Sequence, residues 1–112
     1  MPRDYRVYLD DILESIKAIE EFAGGLSFAE FSNDRRTFDA VVRNLEIIGE
    51  AIKKTPESIR SKNPGVPWKK IGSLRDILAH EYFRIDKEII WDVLKNKLPE
   101  LKREASRILE TG

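Results

Sequence analysis

Apolar residues recur every three or four positions along nearly the whole of this 112-residue chain. One such stripe runs from Leu9 to Phe22, and a second, longer stripe runs from Phe38 to Ile52. This spacing collects apolar side chains on one face of an α-helix, whereas a strand would need them at every second residue. The chain is therefore restricted to folds in which helices pack through one apolar face.

Helix boundaries follow from capping and breaking residues. A first helix over residues 4–23 is predicted to stop at Gly24-Gly25, because glycine is common just past a helix end. Asn33 or Asp34 can cap a second helix that runs to about Lys54. Between these two helices, LSFAEFSND is interpreted as a connector whose Phe28 and Phe31 tuck against the core.

The second half of the chain predicts two more long helices. Thr55 can cap a short helical piece with Pro56 in its first turn, ending near Arg60. After the loop SKNPGVP, a third main helix starts at Trp68 and ends near Tyr82 or Phe83. Asp86 can cap the last helix, and Pro99 should kink that helix or split it in two.

These elements define the predicted fold class, an all-α, up-and-down four-helix bundle with a short extra helix before the third main helix. The length fits one domain over residues 1–112. The single core is expected to be lined by the four apolar stripes. Trp68 and Trp91 are expected to fill that core or a dimer interface.

Composition excludes several kinds of site. The chain has no Cys and one His, so disulfides, a thiolate nucleophile and the usual Cys or His metal sites are not expected. No cofactor motif is evident. No apolar run reaches the roughly 18 residues that a membrane span needs, and the N-terminus turns acidic where a signal peptide is apolar. A cytoplasmic protein without a membrane segment is predicted.

The net charge of zero hides a division along the chain. Residues 1–50 hold six Lys/Arg and eleven Asp/Glu, and residues 51–112 hold fourteen and nine. Such asymmetry is typical either of a basic face for a polyanion or of two halves that attract each other, although solvated helix faces are the more common explanation. Four lysines of the basic half are candidates for RNA backbone contacts, or are ordinary exposed residues: Lys53, Lys54, Lys69 and Lys70.

The one histidine lies in a cluster of chemically capable residues, RDILAHEYF, residues 75–83. At 100° per residue, Arg75 and Tyr82 share a helix face, whereas His80 is about 140° round from Arg75. Asp76 precedes His80 by four residues, so its carboxylate can support a protonated imidazole. Each residue also has a purely structural explanation. His80 can interact with the helix dipole, Tyr82 can pack at the edge of the core, and Arg75 can form an ion pair.

A metal-independent cleavage of RNA by its own 2′-hydroxyl would suit these residue types. It needs a base, an acid and a cation beside the phosphorane, and guanidinium forms paired hydrogen bonds with phosphate oxygens. One chain supplies a single acid–base group of neutral pKa. If the protein is a nuclease, its active site is therefore expected at the two-fold interface of a homodimer.

The Arg75-x-x-x-x-His80-x-Tyr82 pattern resembles the signature of the HepT-like branch of the HEPN helical domains. PGVPWKKIGSLRDILAHEYF is similar to the family's stretch leading into that helix, and FDAVVRNLEIIGEAI to its second long helix. The similarity runs from Tyr8 to Leu101. It implies an all-helical homodimer that acts on RNA without metal, as the toxin of a toxin–antitoxin pair, with the signature in a cleft between protomers.

The resemblance also implies roles for individual residues. Arg75 would contact phosphate, His80 would be the acid–base residue, and Asp76 and Tyr82 would complete the catalytic set. Asp76 stands where relatives often have Asn and can hydrogen-bond His80, but it adds negative charge beside the phosphate. The family's antitoxin is a minimal nucleotidyltransferase that transfers AMP to the signature tyrosine, so Tyr82 is predicted to be the modification site, where the added phosphate would block RNA.

Two other functions are compatible with the sequence. The chain could be a non-catalytic helical module that partners a minimal nucleotidyltransferase, or a purely structural helical dimer. Gly49-Glu50, inside the second helix, has either a functional role or, more simply, a close helix contact at Gly49.

Overall fold

The computed structural model describes residues 4–80 and 86–111, and within these ranges it contains helices and no strand. The side chains of Ile77, Ala79 and His80 are outside this description. The helices are α1 Tyr5–Ala23, α2 Phe28–Asn33, α3 Arg35–Lys54, α4 Glu57–Lys62, α5 Trp68–His80, α6 Lys87–Asp92 and α7 Leu98–Thr111, with a π-helical turn at Val93–Lys97 between α6 and α7. The all-α class predicted from the apolar stripes is confirmed.

The second long helix, α3, is central to the bundle, since it packs against both α1 and α5. Helix α7 completes the bundle by packing against α1. The stripes that predicted these helices supply one hydrophobic core, in which Leu9, Phe31 and Leu101 are fully buried. The segment from α6 through the π turn to α7 acts as the fourth long helical unit.

Capping residues agree with the prediction at two helices. The Asp34 carboxylate accepts a hydrogen bond from the Thr37 backbone N–H and so caps α3. The Asp86 carboxylate accepts one from the Glu88 backbone N–H and caps α6. Both side chains satisfy backbone donors that have no partner inside the helix.

Two local predictions are wrong. Residues 28–33 form the short helix α2, not a plain connector, because Ser27 and Glu30 form a reciprocal capping box at its start. Thr55 does not cap α4 with its side chain. Its buried hydroxyl instead donates a hydrogen bond of 2.9 Å to the Ala51 carbonyl at the C-terminal end of α3.

Pro99 changes the last helix without ending it. The Leu98 backbone N–H donates to the Val93 carbonyl, five residues back, which is the hydrogen bond of a π turn. A proline ring clashes with the carbonyl four residues earlier in a regular α-helix. The wider turn just before Pro99 relieves that clash, so the helix continues as α7.

Both tryptophans belong to the core region. Trp68 is almost wholly buried, and its Nε1 donates to the Asn63 carbonyl at 2.9 Å. Trp91 packs against the rings of Phe28 and Phe31, with centroids 5.8 Å and 5.3 Å away. No helix in the described part of the chain is both long and apolar enough to cross a membrane.

Candidate active site

A close contact between α3 and α5 determines where Arg75 lies. A Cβ atom added to Gly49 would be 2.5 Å from the Cβ of Arg75, closer than two such atoms can come. Glycine is therefore required at residue 49 for α5 to approach this part of α3. The interpretation of Gly49 as a close helix contact is confirmed, and it also places the arginine of the signature.

The neighbouring residue, Glu50, holds the Arg75 side chain. Arg75 Nε lies 3.0 Å from Glu50 Oε2, and the opposite carboxylate oxygen lies 3.5 Å from Lys54 Nζ. The Arg75 and Glu50 side chains are each 41% exposed. An exposed ion pair of this kind contributes little to stability, so its main consequence is the orientation of the guanidinium group.

Asp76 is bound chiefly by a lysine from α3. Lys53 Nζ donates to both Asp76 carboxylate oxygens, at 2.8 Å and 2.7 Å. Arg75 Nη1 lies farther away, 3.4 Å from Asp76 Oδ1. The hydrogen bonds from Lys53, together with the nearby positive charge, hold the pKa of the Asp76 carboxyl below its ordinary value. Asp76 is thus an ionised group whose charge is offset by Lys53.

Arg75 also lies at an open groove on the surface of the bundle, which we call the Arg75 groove. Its volume is about 290 Å³, and its lining residues come from α1, α3 and α5: Tyr8, Asp11, Arg43, Glu46, Ile47, Glu50, Ala51, Lys54 and Arg75. Six of these nine residues are charged, three of each sign. The apolar side chain of Ile47, within this mostly charged lining, is 40% exposed.

The remaining signature residues are described only in part. The backbone of His80 lies within α5. By helical geometry His80 is about 140° round the axis from Arg75, as the sequence predicts. Glu81 and Tyr82 lie outside the described residues, as does any contact between Asp76 and the His80 ring. The structure therefore brings together Arg75 and Asp76 and leaves the roles of His80 and Tyr82 as predictions.

Two contacts in this cluster were not predicted from the sequence, that of Glu50 with Arg75 and that of Lys53 with Asp76. The signal for Glu50 was a glycine inside a strongly amphipathic helix, which marks a close approach by another element. No comparable signal identified Lys53 as the partner of Asp76, since lysines at helix ends are ordinary. Together the side chains form a row of alternating charge in the order Lys54, Glu50, Arg75, Asp76 and Lys53.

This arrangement can bind an anion through Arg75. Glu50 Oε2 lies 3.0 Å from Nε in an ion pair, and the contact of Nη1 with Asp76 is long for a hydrogen bond. The terminal nitrogens are the ones that form paired bonds with phosphate oxygens. Within residues 4–80 and 86–111, no three His or carboxylate side chains are grouped so that they could hold a metal ion.

The fold and the site together define a class, the all-helical proteins whose third long helix presents an arginine at a polar surface groove. The family model described as "Ribonuclease HepT-like" matches residues 12–108, and the chain belongs to this family. The resemblance seen in the Arg75–Tyr82 signature is thereby confirmed.

Similar proteins occur in both archaea and bacteria. A Methanocaldococcus jannaschii protein named "Putative RNase" is 48% identical over 98% of this chain and 92% of its own length. The "Probable ribonuclease HepT" of Thermococcus cleftensis is 40% identical over 96% of this chain and 98% of its own length. A Caldanaerobacter subterraneus protein, also named "Putative RNase", is 43% identical over 94% of each chain. No solved structure matches this chain.

Proposed function

We propose that this protein is a metal-independent endoribonuclease, the toxin component of a toxin–antitoxin pair, acting in a cleft between two copies of the chain. The observation that carries this proposal is the Arg75 guanidinium, held through Nε by Glu50 at the Arg75 groove. Membership of a ribonuclease family, and relatives named as RNases, support RNA as the substrate.

The proposed reaction is an attack by the 2′-oxygen of RNA on the adjacent phosphorus. A base takes the 2′-hydroxyl proton, the phosphorus–5′-oxygen bond breaks, and an acid returns a proton to the 5′-oxygen. The products are a 2′,3′-cyclic phosphate and a 5′-hydroxyl. We assign the proton transfers to His80, the stabilisation of phosphorane charge to Arg75, and support of the imidazole to Asp76.

Two features support a site shared between two chains. Arg75 and His80 are about 140° apart around α5, so one helix does not direct both residues to the same point. The lining of the Arg75 groove has equal numbers of acidic and basic residues and the exposed Ile47. Such a surface can be self-complementary across a two-fold axis, as a homodimer requires.

Tyr82 is proposed as the control point. A minimal nucleotidyltransferase antitoxin would let the tyrosine oxygen attack the α-phosphorus of ATP, with pyrophosphate leaving. The AMP left on Tyr82 would add bulk and negative charge two residues from His80, where an RNA phosphate has to bind. The pair would act in the cytoplasm, where both ATP and RNA are present.

Cleavage of a labelled RNA by the purified protein tests the enzyme proposal. Arg75→Ala and His80→Ala are each expected to abolish cleavage while leaving the helical circular dichroism spectrum unchanged. After subunit exchange, mixing wild type with the His80→Ala variant should lower activity as the square of the wild-type fraction, because a mixed dimer lacks one of the two His80 groups that the shared cleft needs. Wild-type activity in His80→Ala would refute the assigned chemistry, and a fall in direct proportion to the wild-type fraction would refute the shared site.

The mass of the protein after incubation with a minimal nucleotidyltransferase and ATP tests the control point. Wild type is expected to gain one AMP and lose RNA cleavage, and Tyr82→Phe is expected to gain none. If the wild-type protein leaves RNA intact yet Tyr82 still accepts AMP, the chain is the non-catalytic partner module and not a nuclease.

A further inference from the structure

Asp76 poses an electrostatic problem for a phosphate-binding arginine. Its carboxylate follows Arg75 directly in the sequence, and carboxylates and phosphates compete for the same guanidinium nitrogens. A carboxylate bound to both terminal nitrogens would occupy the positions that RNA phosphate needs. Asp76 does not bind Arg75 in this way, since Arg75 Nη1 lies 3.4 Å from Asp76 Oδ1, beyond the usual hydrogen-bond range.

Lys53 accounts for that long contact. Its ammonium group reaches across from α3 and binds both Asp76 oxygens at 2.8 Å and 2.7 Å, well within hydrogen-bond range. The separation of 3.4 Å between Arg75 Nη1 and Asp76 Oδ1 lies outside the usual range for such bonds. The carboxylate is thus satisfied by the lysine, which weakens its hold on the arginine.

Glu50 completes the arrangement from the other side. Its Oε2 atom lies 3.0 Å from Arg75 Nε, so this ion pair is made at the inner nitrogen of the guanidinium group. One carboxylate therefore orients the guanidinium group through Nε, while the other is kept at a distance. Only the position of the second carboxylate, that of Asp76, depends on Lys53.

We propose that Lys53 is a positioning residue that draws Asp76 away from Arg75 and so leaves the terminal guanidinium nitrogens available to RNA phosphate. This inference rests on the proposed function, because it takes Arg75 as the phosphate-binding residue. Lys53 acts through Asp76 and is not itself assigned a contact with RNA. The chain thereby tolerates an acidic residue beside its signature arginine.

Binding of a fluorescent single-stranded RNA with 2′-O-methyl groups tests the inference, since this RNA cannot be cleaved by its own 2′-oxygen. In Lys53→Met, Asp76 is expected to close onto Arg75, and phosphate must then displace an exposed ion pair, which raises the Kd about fivefold. Lys53→Met/Asp76→Asn removes the competing carboxylate and is expected to bind within about twofold of wild type. Thermal unfolding checks that both variants fold.

Two controls separate positioning from net charge. Lys53→Met/Glu57→Gln restores the net charge without changing Asp76, and is expected to bind as weakly as Lys53→Met. Lys102→Met breaks a comparable exposed ion pair, with Lys102 Nζ 2.9 Å from Glu20 Oε1 between α7 and α1. It is expected to bind like wild type, because that pair joins α7 to α1 and does not involve Arg75 or Asp76.

Each other result overturns the inference. Unchanged binding by Lys53→Met, or no RNA binding by wild type, would show that Asp76 does not compete for a phosphate site at Arg75. If Lys53→Met/Asp76→Asn binds RNA as weakly as Lys53→Met, Lys53 contacts RNA itself. If Lys53→Met/Glu57→Gln binds as tightly as wild type, the effect of Lys53→Met is one of net charge alone. Wild type that binds this RNA but cleaves none of its unmodified form refutes the proposed function, while the binding series still decides the role of Lys53.

Discussion

Gly49→Ala is the substitution that most directly tests how α3 positions the signature helix. The added methyl group would lie 2.5 Å from Arg75 Cβ and 3.4 Å from both Arg75 Cα and N, so it meets atoms fixed to the α5 backbone. Those atoms cannot rotate away, and α5 must shift as a unit. The cost of such overpacking is about 1–3 kcal/mol.

Alanine also favours the helix, which opposes this cost by about 1 kcal/mol. The balance is a loss of about 1 kcal/mol in the free energy of unfolding, or about 4 °C in Tm for a domain of this size. Because α5 moves, RNA cleavage is expected to fall by more than this loss of stability explains. Thermal and urea unfolding measure the first effect, and cleavage well below Tm measures the second.

Gly72→Ala is the matched control within the same helix pair. Its added methyl group would lie 3.3 Å from Ile52 Cγ2, the end of a side chain that can give by a few tenths of an ångström. The gain of about 1 kcal/mol in helix propensity should then dominate, so stability is unchanged or higher. If Gly49→Ala is as stable as wild type, or Gly72→Ala loses more than Gly49→Ala, the close-contact argument is refuted.

Three further substitutions test other parts of the fold. Phe31→Ala empties a fully buried site and is expected to cost about 3–5 kcal/mol in urea unfolding, whereas Phe22→Ala, 49% exposed, should cost under about 0.5 kcal/mol; equal losses would place Phe31 outside the core. Trp68→Phe removes the hydrogen bond from Nε1 to the Asn63 carbonyl and should lower stability by about 1 kcal/mol, and no loss would show that this bond is not formed. Hydrogen bonds from Thr37 hold the pKa of Asp34 below its ordinary value, so their stabilisation is present above the ordinary pKa and is lost as pH falls through the folded value. Asp34→Asn should keep the α3 cap and flatten this part of the acid unfolding profile, and an unaltered profile would contradict the assignment.

The long helices could be predicted from sequence because their information is local. The stripe from Phe38 to Ile52 and the cap at Asp34 agree with the observed α3, Arg35–Lys54. The short helix α2 was missed because six residues make too few turns for a clear period. The sequence nevertheless contains the S-x-x-E pattern of its capping box, formed by Ser27 and Glu30. The error at Thr55 arose because a threonine before a proline suits a helix start and a helix end equally well.

The site could be predicted only where its residues are neighbours in sequence. The signature named Arg75, with Asp76 directly after it, but the residues that hold them, Glu50 and Lys53, come from a different helix. No local pattern specifies which exposed charges meet across a helix pair. Gly49 was the exception, because a glycine inside an amphipathic helix reports a close approach before its partner is known. Once Arg75 is known to be that partner, Glu50 and Lys53 can be identified as the charged residues of α3 that contact Arg75 and Asp76. In this chain, the residue types between Arg75 and His80 are therefore an incomplete guide to phosphate binding, since the proposal gives Asp76 a different effect with Lys53 present than without it.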